Sequence, residues 1–191
     1  MTERAHTGRR RNEAARQAIL HAAADLLTTG DRATITVAAI AEHAGVGKQT
    51  IYRWWPSKSA VLLDAMMQGA DQAAPIPETH DLAEDLRAFL EATFTAAAGH
   101  RTLLVGTLHE ALGDTDTMTQ LTAFVASRRA ALSQLLDRAR DHGQIRDPRR
   151  AALAVDQVFG VLWYRLIFTR ERLDDHAARE LADALAEQLT T

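Results

Sequence analysis

The chain has no cysteine among its 191 residues. This absence excludes disulfide bonds and every metal or iron–sulfur site built on thiolates. Long apolar runs are also missing: the longest, residues 158–168, contains Arg165 and is far shorter than the roughly 18 residues that predict a membrane span. Residues 1–17 are polar and arginine-rich, without the apolar segment of a signal peptide. We therefore expect a cytoplasmic protein with no membrane partner.

Lysine is scarce, but positive charge is concentrated at one end of the chain. Residues 1–60 contain nine Lys and Arg against five Asp and Glu, whereas residues 61–191 contain thirteen against twenty. The net charge of −3 conceals this asymmetry. A basic part beside an acidic part indicates that the basic part contacts a polyanion. A disordered basic tail is the alternative, because residues 2–11 supply much of the excess.

Apolar residues recur at helical spacing along most of the chain, and no segment shows the period-two pattern of a strand. We therefore predict an all-α protein of about nine helices. The first four helices are expected over residues 12–29, 37–44 and 48–55 and after a cap at Ser57. Thr36 is the expected N-cap of the second helix, with Ile35 as a hydrophobic staple.

Residues 69–80 form the clearest boundary in the chain, since they contain two prolines and no periodic pattern. We predict a linker there, between a helical domain over residues 12–68, which includes the start of a connecting helix, and a larger helical domain over residues 81–191. Residues 1–11 are predicted to be a disordered basic arm.

Two short helices joined by the turn "AGVG" predict a helix-turn-helix. Steps of about 100° per residue along the second helix place Ile51 and Trp55 on one apolar side. The polar side and its two flanks contain Gln49, Thr50, Arg53, Tyr52 and Trp54. Such a helix fits a major groove, where polar side chains read base edges and hydroxyl or indole groups meet phosphates. We expect Trp55 in the core and Trp54 at the groove wall; the alternative for Trp54 is packing under a neighbouring loop.

Residues 22–66 resemble the DNA-binding domain of the TetR family of bacterial transcriptional regulators. The positions that follow the family pattern are Thr36, Ile40, Ala41, Gly45, Val46, Lys48, Thr50, Ile51, Tyr52, Ser57 and Lys58. The rest of the chain resembles the family in architecture, and residues 147–175 look like the C-terminal region of one TetR subgroup. The resemblance implies an N-terminal three-helix DNA-binding domain followed by a ligand-binding and dimerisation domain.

The resemblance also implies roles for individual side chains. Contacts to bases or to the groove are implied for Lys48, Gln49, Thr50 and Arg53. Phosphate contacts are implied for Thr36, Tyr52, Trp54 and Lys58. The chain departs from the family at Gly47, where serine is common, and at Ala38 and Ala39, where some members carry a base-contacting side chain. We therefore expect little sequence reading from the first helix of the motif.

The larger domain is expected to form a homodimer and to bind an effector. The dimer would use the last two helices: the eighth, predicted from Asp147 to about Arg172, and the ninth, with its leucine stripe. The alternative is that the eighth helix is the core helix of a monomer. Candidate effector contacts, for each of which ordinary core packing is the alternative, are Phe89, Phe94, His109, Met118, Phe124, Gln157, Trp163 and Tyr164. The histidines lack metal-ligand spacing, so neither a metal nor a cofactor is expected.

Three functions fit these features. The first is a homodimeric repressor that binds a pseudo-palindromic operator in double-stranded DNA and is released by a small, mainly apolar effector. The second is a helical ligand-binding protein or enzyme whose helix-turn-helix is only a structural corner, but no nucleophile–base pair or phosphate-binding loop supports it. The third is a non-specific DNA-binding protein, against which the acidic larger domain argues. We expect the first, and no enzymatic activity.

Overall fold

A computed structural model describes residues 4–29, 35–73, 78–169 and 171–191. Over these ranges the chain forms α-helices and no strand. The helices are α1 Arg4–Thr29, α2 Val37–His43, α3 Lys48–Tyr52, α4 Lys58–Ala73, α5 Leu82–Gly99, α6 Arg101–Ala111, α7 Thr115–Asp141, α8 Pro148–Ile167 and α9 Asp175–Thr190. The predicted all-α class is confirmed.

The helices belong to two compact units. The first unit comprises Met1–Gln72 and Gly106–Phe124, and the second comprises Ala73–Val105 and Val125–Thr191. A single boundary at residues 69–80 would have placed residues 106–124 with the C-terminal helices. One reason for their place in the first unit is a hydrogen bond from the Ser59 hydroxyl on α4 to the Glu110 carboxylate on α6, at 2.5 Å.

The N-terminal arm and the linker contain more helix than predicted. α1 begins at Arg4, so residues 4–11 are helical rather than disordered, while residues 1–3 of that arm lie outside the described residues. Once the packed part of α1 has formed, each further residue adds a hydrogen bond without a new nucleation cost. For the same reason α4 continues through Ala73 into the predicted linker, of which residues 74–77 lie outside the described residues.

α8 begins as predicted but ends earlier. The Asp147 carboxylate accepts the N–H of Arg149 at 2.9 Å, and Pro148 follows at the first turn. The helix ends at Ile167 instead of near Arg172. Arg101, the first residue of α6, donates to the carbonyls of Arg165 and Thr169, both at 3.3 Å. A side chain thus satisfies carbonyls at the helix end that would otherwise need another turn.

The leucine stripe of α9 lies inside the second unit. Ala182, Leu185 and Leu189 are buried within the single chain, where α9 packs mainly against α5. The apolar surface of these buried side chains is already removed from water within one protomer. Leu181, the remaining leucine of the predicted stripe, is half-buried, and a homodimer through the last two helices stays a prediction.

Asp114 provides a pH-dependent contact at the start of α7. Its carboxylate accepts the hydroxyl of Thr117 at 2.6 Å and the N–H of Thr117 at 2.8 Å. These hydrogen bonds, the hydroxyl first, lower the pKa of Asp114 below its ordinary value of 3.8. A carboxyl whose pKa is lower in the folded protein stabilises the fold above its unfolded pKa, and this stabilisation is lost as pH falls through the folded pKa.

We therefore expect Asp114→Ala to lower the melting temperature at neutral pH. The difference from the parent protein should shrink as the pH is lowered below about 4, because the parent contact is then lost as well. Calorimetric melting curves over a pH series measure this. Asp116→Ala, an exposed change in the first turn of the same helix, is the control. A difference that stays constant with pH would contradict the prediction.

Candidate nucleic-acid interface

The turn between α2 and α3 is a Schellman motif. The N–H of Val46 donates to the carbonyl of Ala41 at 2.9 Å, and the N–H of Gly45 donates to that of Glu42 at 3.1 Å. Gly45 has a φ of 65°, a conformation that strains residues with a side chain. The local sequence therefore fixes the angle at which α3 leaves α2.

The two helices of the motif begin differently. The Thr36 hydroxyl accepts the N–H of Ala39 at 3.1 Å, which confirms Thr36 as the N-cap of α2, and Ile35 is buried beside it. Gly47 precedes α3 without a side-chain cap. The first N–H groups of α3 therefore have no side-chain partner from their own N-cap.

α3 is anchored to the first unit by Ile51 and Trp55. Ile51 is fully buried and Trp55 is 5% exposed, as the helical wheel predicted. The helix itself ends at Tyr52 rather than at Trp55, where the N–H of Trp54 also bonds the Ile51 carbonyl in a tighter turn. The Trp55 N–H still bonds the same carbonyl at 2.9 Å. The apolar side of the motif is thus kept although the helix is shorter.

A polar network holds Trp55 from outside the motif. Its indole N–H donates to the Asp64 carboxylate on α4 at 3.0 Å, and Arg16 on α1 donates to the same oxygen at 2.7 Å. The Arg16 guanidinium also lies 5.8 Å from the centre of the Trp55 ring. Sequence reasoning missed this network. The available signal was Asp64, the only charged residue in the apolar segment 60–67. A buried indole N–H needs an acceptor, and this carboxylate could supply it.

The side of α3 away from this anchor is open to solvent. Trp54 is 39% exposed, its ring centre 6.5 Å from that of Trp55 and tilted by 47°, so the two neighbours divide between surface and core. Tyr52 is exposed as well. The remaining predicted contacts are Thr36, Lys48, Gln49 and Arg53, which are exposed, and Thr50 and Lys58, which are half-buried. All eight are therefore accessible, on or beside α2, α3 and the start of α4.

The Arg53 side chain is held in place by two neighbours. Its guanidinium donates to the Asn12 side-chain oxygen on α1 at 2.6 Å and lies 5.9 Å from the centre of the Trp54 ring. No sequence pattern indicated the contact with Asn12, which lies 41 positions away. Among the described residues, no carboxylate forms an ion pair with Lys48, Arg53 or Lys58. Their charge is therefore available to an anion.

The candidate effector residues lie in both units. His109, Met118 and Phe124 belong to the first unit, and Phe89, Phe94, Gln157, Trp163 and Tyr164 to the second. Phe89, Phe94 and Phe124 are buried, and Met118, Gln157 and Trp163 are half-buried. His109 and Tyr164 are exposed, which does not fit the lining of an interior cavity. A surface cavity of about 290 Å³ contains none of the eight; it is lined by Ala98, Arg101, Glu171, Arg172, Leu173 and Asp174.

The described part of the chain contains neither a cluster of metal-ligating side chains nor a membrane-spanning helix. No group of three or more His, Cys, Asp or Glu side chains there could hold a metal ion. His80 and His142 do come together, with their Nδ1 atoms 3.5 Å apart, but as an isolated pair. No helix there is both long and apolar enough to cross a membrane.

Both parts of the chain match known protein families. The model of the bacterial regulatory proteins of the tetR family matches residues 19–65, and that of the tetracyclin repressor-like C-terminal domain matches residues 76–185. The HTH-type transcriptional regulator YdeS of Bacillus subtilis is 32% identical over 180 residues, which cover 91% of this chain and 89% of YdeS. The chain belongs to the TetR family. It is therefore a DNA-binding transcriptional regulator and not an enzyme.

Solved structures of TetR-family proteins have the same fold. The TetR-family regulator SCO0332 superposes with a TM-score of 0.81 at 34% identity, covering 91% of this chain and 97% of SCO0332. FadR of Thermus thermophilus, solved with lauroyl-CoA, has a TM-score of 0.63 at 22% identity over 92% of this chain and 95% of its own. The second likeness concerns the fold alone.

Proposed function

We propose that this TetR-family regulator is a cytoplasmic homodimeric repressor that binds a pseudo-palindromic operator and is released by a small, mainly apolar effector. The observation that carries the proposal is that α3 and the residues directly after it have one buried side and one exposed side. Ile51 and Trp55 are buried, while the opposite side is open, uncompensated in charge and rich in groups that read bases. Lys48, Gln49, Thr50 and Arg53 would contact bases or the groove, and Thr36, Tyr52, Trp54 and Lys58 would contact phosphates.

Exposed apolar side chains on α8 and at the residue directly after it support the homodimer. Leu153, Tyr164 and Phe168 recur at helical spacing and are 51%, 58% and 75% exposed. The rings of Tyr164 and Phe168 lie 6.0 Å apart. Gly160 lies within this row, and a side chain there would meet nothing within 4 Å. Large exposed apolar rows are typical of interfaces, and a two-fold axis would bury this row against its own copy.

A dimer is also required by the size of the recognition element. A helix as short as α3 reaches only a few base pairs, so such proteins bind two half-sites about one turn of DNA apart, or multiples of it. We propose that α8 supplies most of the dimer contact and that α9 contributes its outer side with the half-buried Leu181, since Leu185 and Leu189 are already buried.

Unpaired oxygens in the second unit support an effector that carries a polar group. The Thr93 hydroxyl and the Gln157 amide oxygen are buried without a hydrogen-bond partner among the described residues. Phe89 and Phe94 are buried in the same unit. A mainly apolar ligand with one or two hydrogen-bonding groups would match these side chains. To lower the affinity for DNA ten- to a hundredfold, the effector must bind the DNA-incompetent dimer more tightly than the competent one, by about 1.4–2.8 kcal/mol of binding free energy.

A gel shift at several salt concentrations separates this function from the alternative of non-specific binding. The proposal predicts a shift with the promoter next to the gene and a much weaker shift with random DNA. Equal shifts would favour the non-specific function, and no shift would leave the motif without a DNA-binding role.

Arg53→Ala tests the reading face of α3. We expect a loss of roughly 1–3 kcal/mol on the cognate site and relaxed preference at one base pair, because a guanidinium can make paired hydrogen bonds to guanine. Quantitative filter binding to the cognate site and to its single-base variants measures the effect.

Lys58→Ala is the matched control, since its ammonium group is expected on phosphate. It should weaken binding to all sequences alike and lower the salt slope by about one unit. If Arg53→Ala also weakened specific and random DNA equally, Arg53 would not belong to the reading set.

A further inference from the structure

We propose that Asn12 is a positioning residue for base recognition and that it acts by holding the Arg53 guanidinium. The inference rests on the proposed function, because it assigns Arg53 to the reading face. Its basis is the hydrogen bond from Arg53 Nη2 to Asn12 Oδ1 at 2.6 Å. This bond joins α1 to the residue directly after α3.

The bond forms at an exposed site, where a long side chain normally stays mobile. Asn12 and Arg53 are both exposed, so desolvation does not force them together. Ordering an exposed arginine costs side-chain entropy. The Trp54 ring, 5.9 Å from the guanidinium, supplies a second restraint on its face. The guanidinium is thus held at one N–H by Asn12 and on one face by Trp54.

This restraint leaves the groups that read DNA available. Arginine has five N–H donors in a planar fork, and the bond to Asn12 uses one of them. The others can form the paired bonds to guanine that give arginine its specificity. A side chain that is ordered before binding loses less entropy in the complex. An amide is suited to this role because, unlike a carboxylate, it restrains the guanidinium without neutralising its charge.

The stability of α1 does not explain an asparagine here. Asparagine is a weaker helix former than alanine, so an exposed asparagine within α1 lowers local helix stability. Asn12→Ala should therefore fold at least as well as the parent protein. This makes alanine a clean probe of the contact with Arg53.

The test uses the full-length protein and a duplex that the parent protein selects from a random-sequence pool. Each base pair of this duplex is then replaced in turn, and binding is measured for the parent, Asn12→Ala, Arg53→Ala and the double variant. We expect Asn12→Ala to reduce discrimination about tenfold at the base pair that responds to Arg53→Ala, and nowhere else. In the Arg53→Ala background the same change should alter discrimination by less than about twofold.

Asn12→Asp is the conservative control. It keeps an acceptor oxygen at the same position, so the base preference should be retained, while the added negative charge weakens binding to all DNA several-fold. Equal losses for Asn12→Ala with and without Arg53 would overturn the inference, since Asn12 would then act on its own. An effect of Arg53→Ala with none of Asn12→Ala would also overturn it and leave the proposed function intact. If Arg53→Ala changed no base preference, the assigned reading role and the inference would both fail.

Discussion

Tyr164→Glu is expected to convert the proposed homodimer to a monomer. Tyr164 lies in the exposed row of α8 and is 58% exposed in the single chain, so its replacement leaves the protomer core untouched. In a two-fold interface each substitution occurs twice. With about 2 kcal/mol for each buried aromatic contact, the dimer dissociation constant should rise by about a thousandfold or more.

Loss of the dimer should also abolish tight operator binding. A monomer contacts one half-site, so we expect operator affinity to fall by more than about a hundredfold while the melting curve of the protomer changes little. Sedimentation over a concentration series and gel shifts measure the two effects. Tyr164→Phe, which keeps the ring, should remain a dimer. A Tyr164→Glu protein that stays dimeric at micromolar concentration would place the interface elsewhere.

Asp64→Ala is expected to destabilise the DNA-binding helices and weaken operator binding together. The change removes the acceptor of both the Trp55 indole N–H and the Arg16 guanidinium. Hydrogen bonds to a partly buried charged group are strong, so the free energy of unfolding should fall by about 2–3 kcal/mol. For a chain of this size this corresponds to about 5–10 °C in melting temperature. Calorimetry and filter binding measure the two effects.

Two variants define what this loss means. Asp64→Asn keeps an acceptor but removes the charge, and should lose about half as much stability. Asp25→Ala removes the partner of His43 in an exposed pair at 3.4 Å and should cost less than about 1 kcal/mol. If Asp64→Ala melted within one or two degrees of the parent protein, the network would not be what holds Trp55.

The parts of the interface that were predicted from the sequence depend on neighbours within a few residues. A step of about 100° per residue was enough to predict that Ile51 and Trp55 are buried and that Trp54 is exposed, and the structure agrees. The cap at Thr36 is local in the same way, as is the cap at Ser57, whose hydroxyl accepts the Ala60 N–H at 3.2 Å. Such features follow from residue type and spacing alone.

The contacts that were missed join residues far apart in the chain. Asn12 and Arg53, Asp64 and Arg16, and Glu110 and Ser59 are separated by 41, 48 and 51 positions. Nothing in the periodicity of one helix indicates which polar group of another will meet it. The early end of α8 has the same origin, because Arg101 reaches from another helix to the carbonyl of Arg165 in its last turn and to that of Thr169 just beyond it.

The paired tryptophans of the helix-turn-helix have a consequence for spectroscopy. Trp54 is partly exposed beside the Arg53 guanidinium, whereas Trp55 is buried and hydrogen-bonded to Asp64. In the proposed binding mode the surroundings of Trp54 would change on contact with DNA, whereas those of Trp55 would change when the fold is lost. At 6.5 Å and 47° the two indoles are also close enough for their electronic transitions to couple. The chain thus contains an intrinsic optical reporter at the end of its recognition helix.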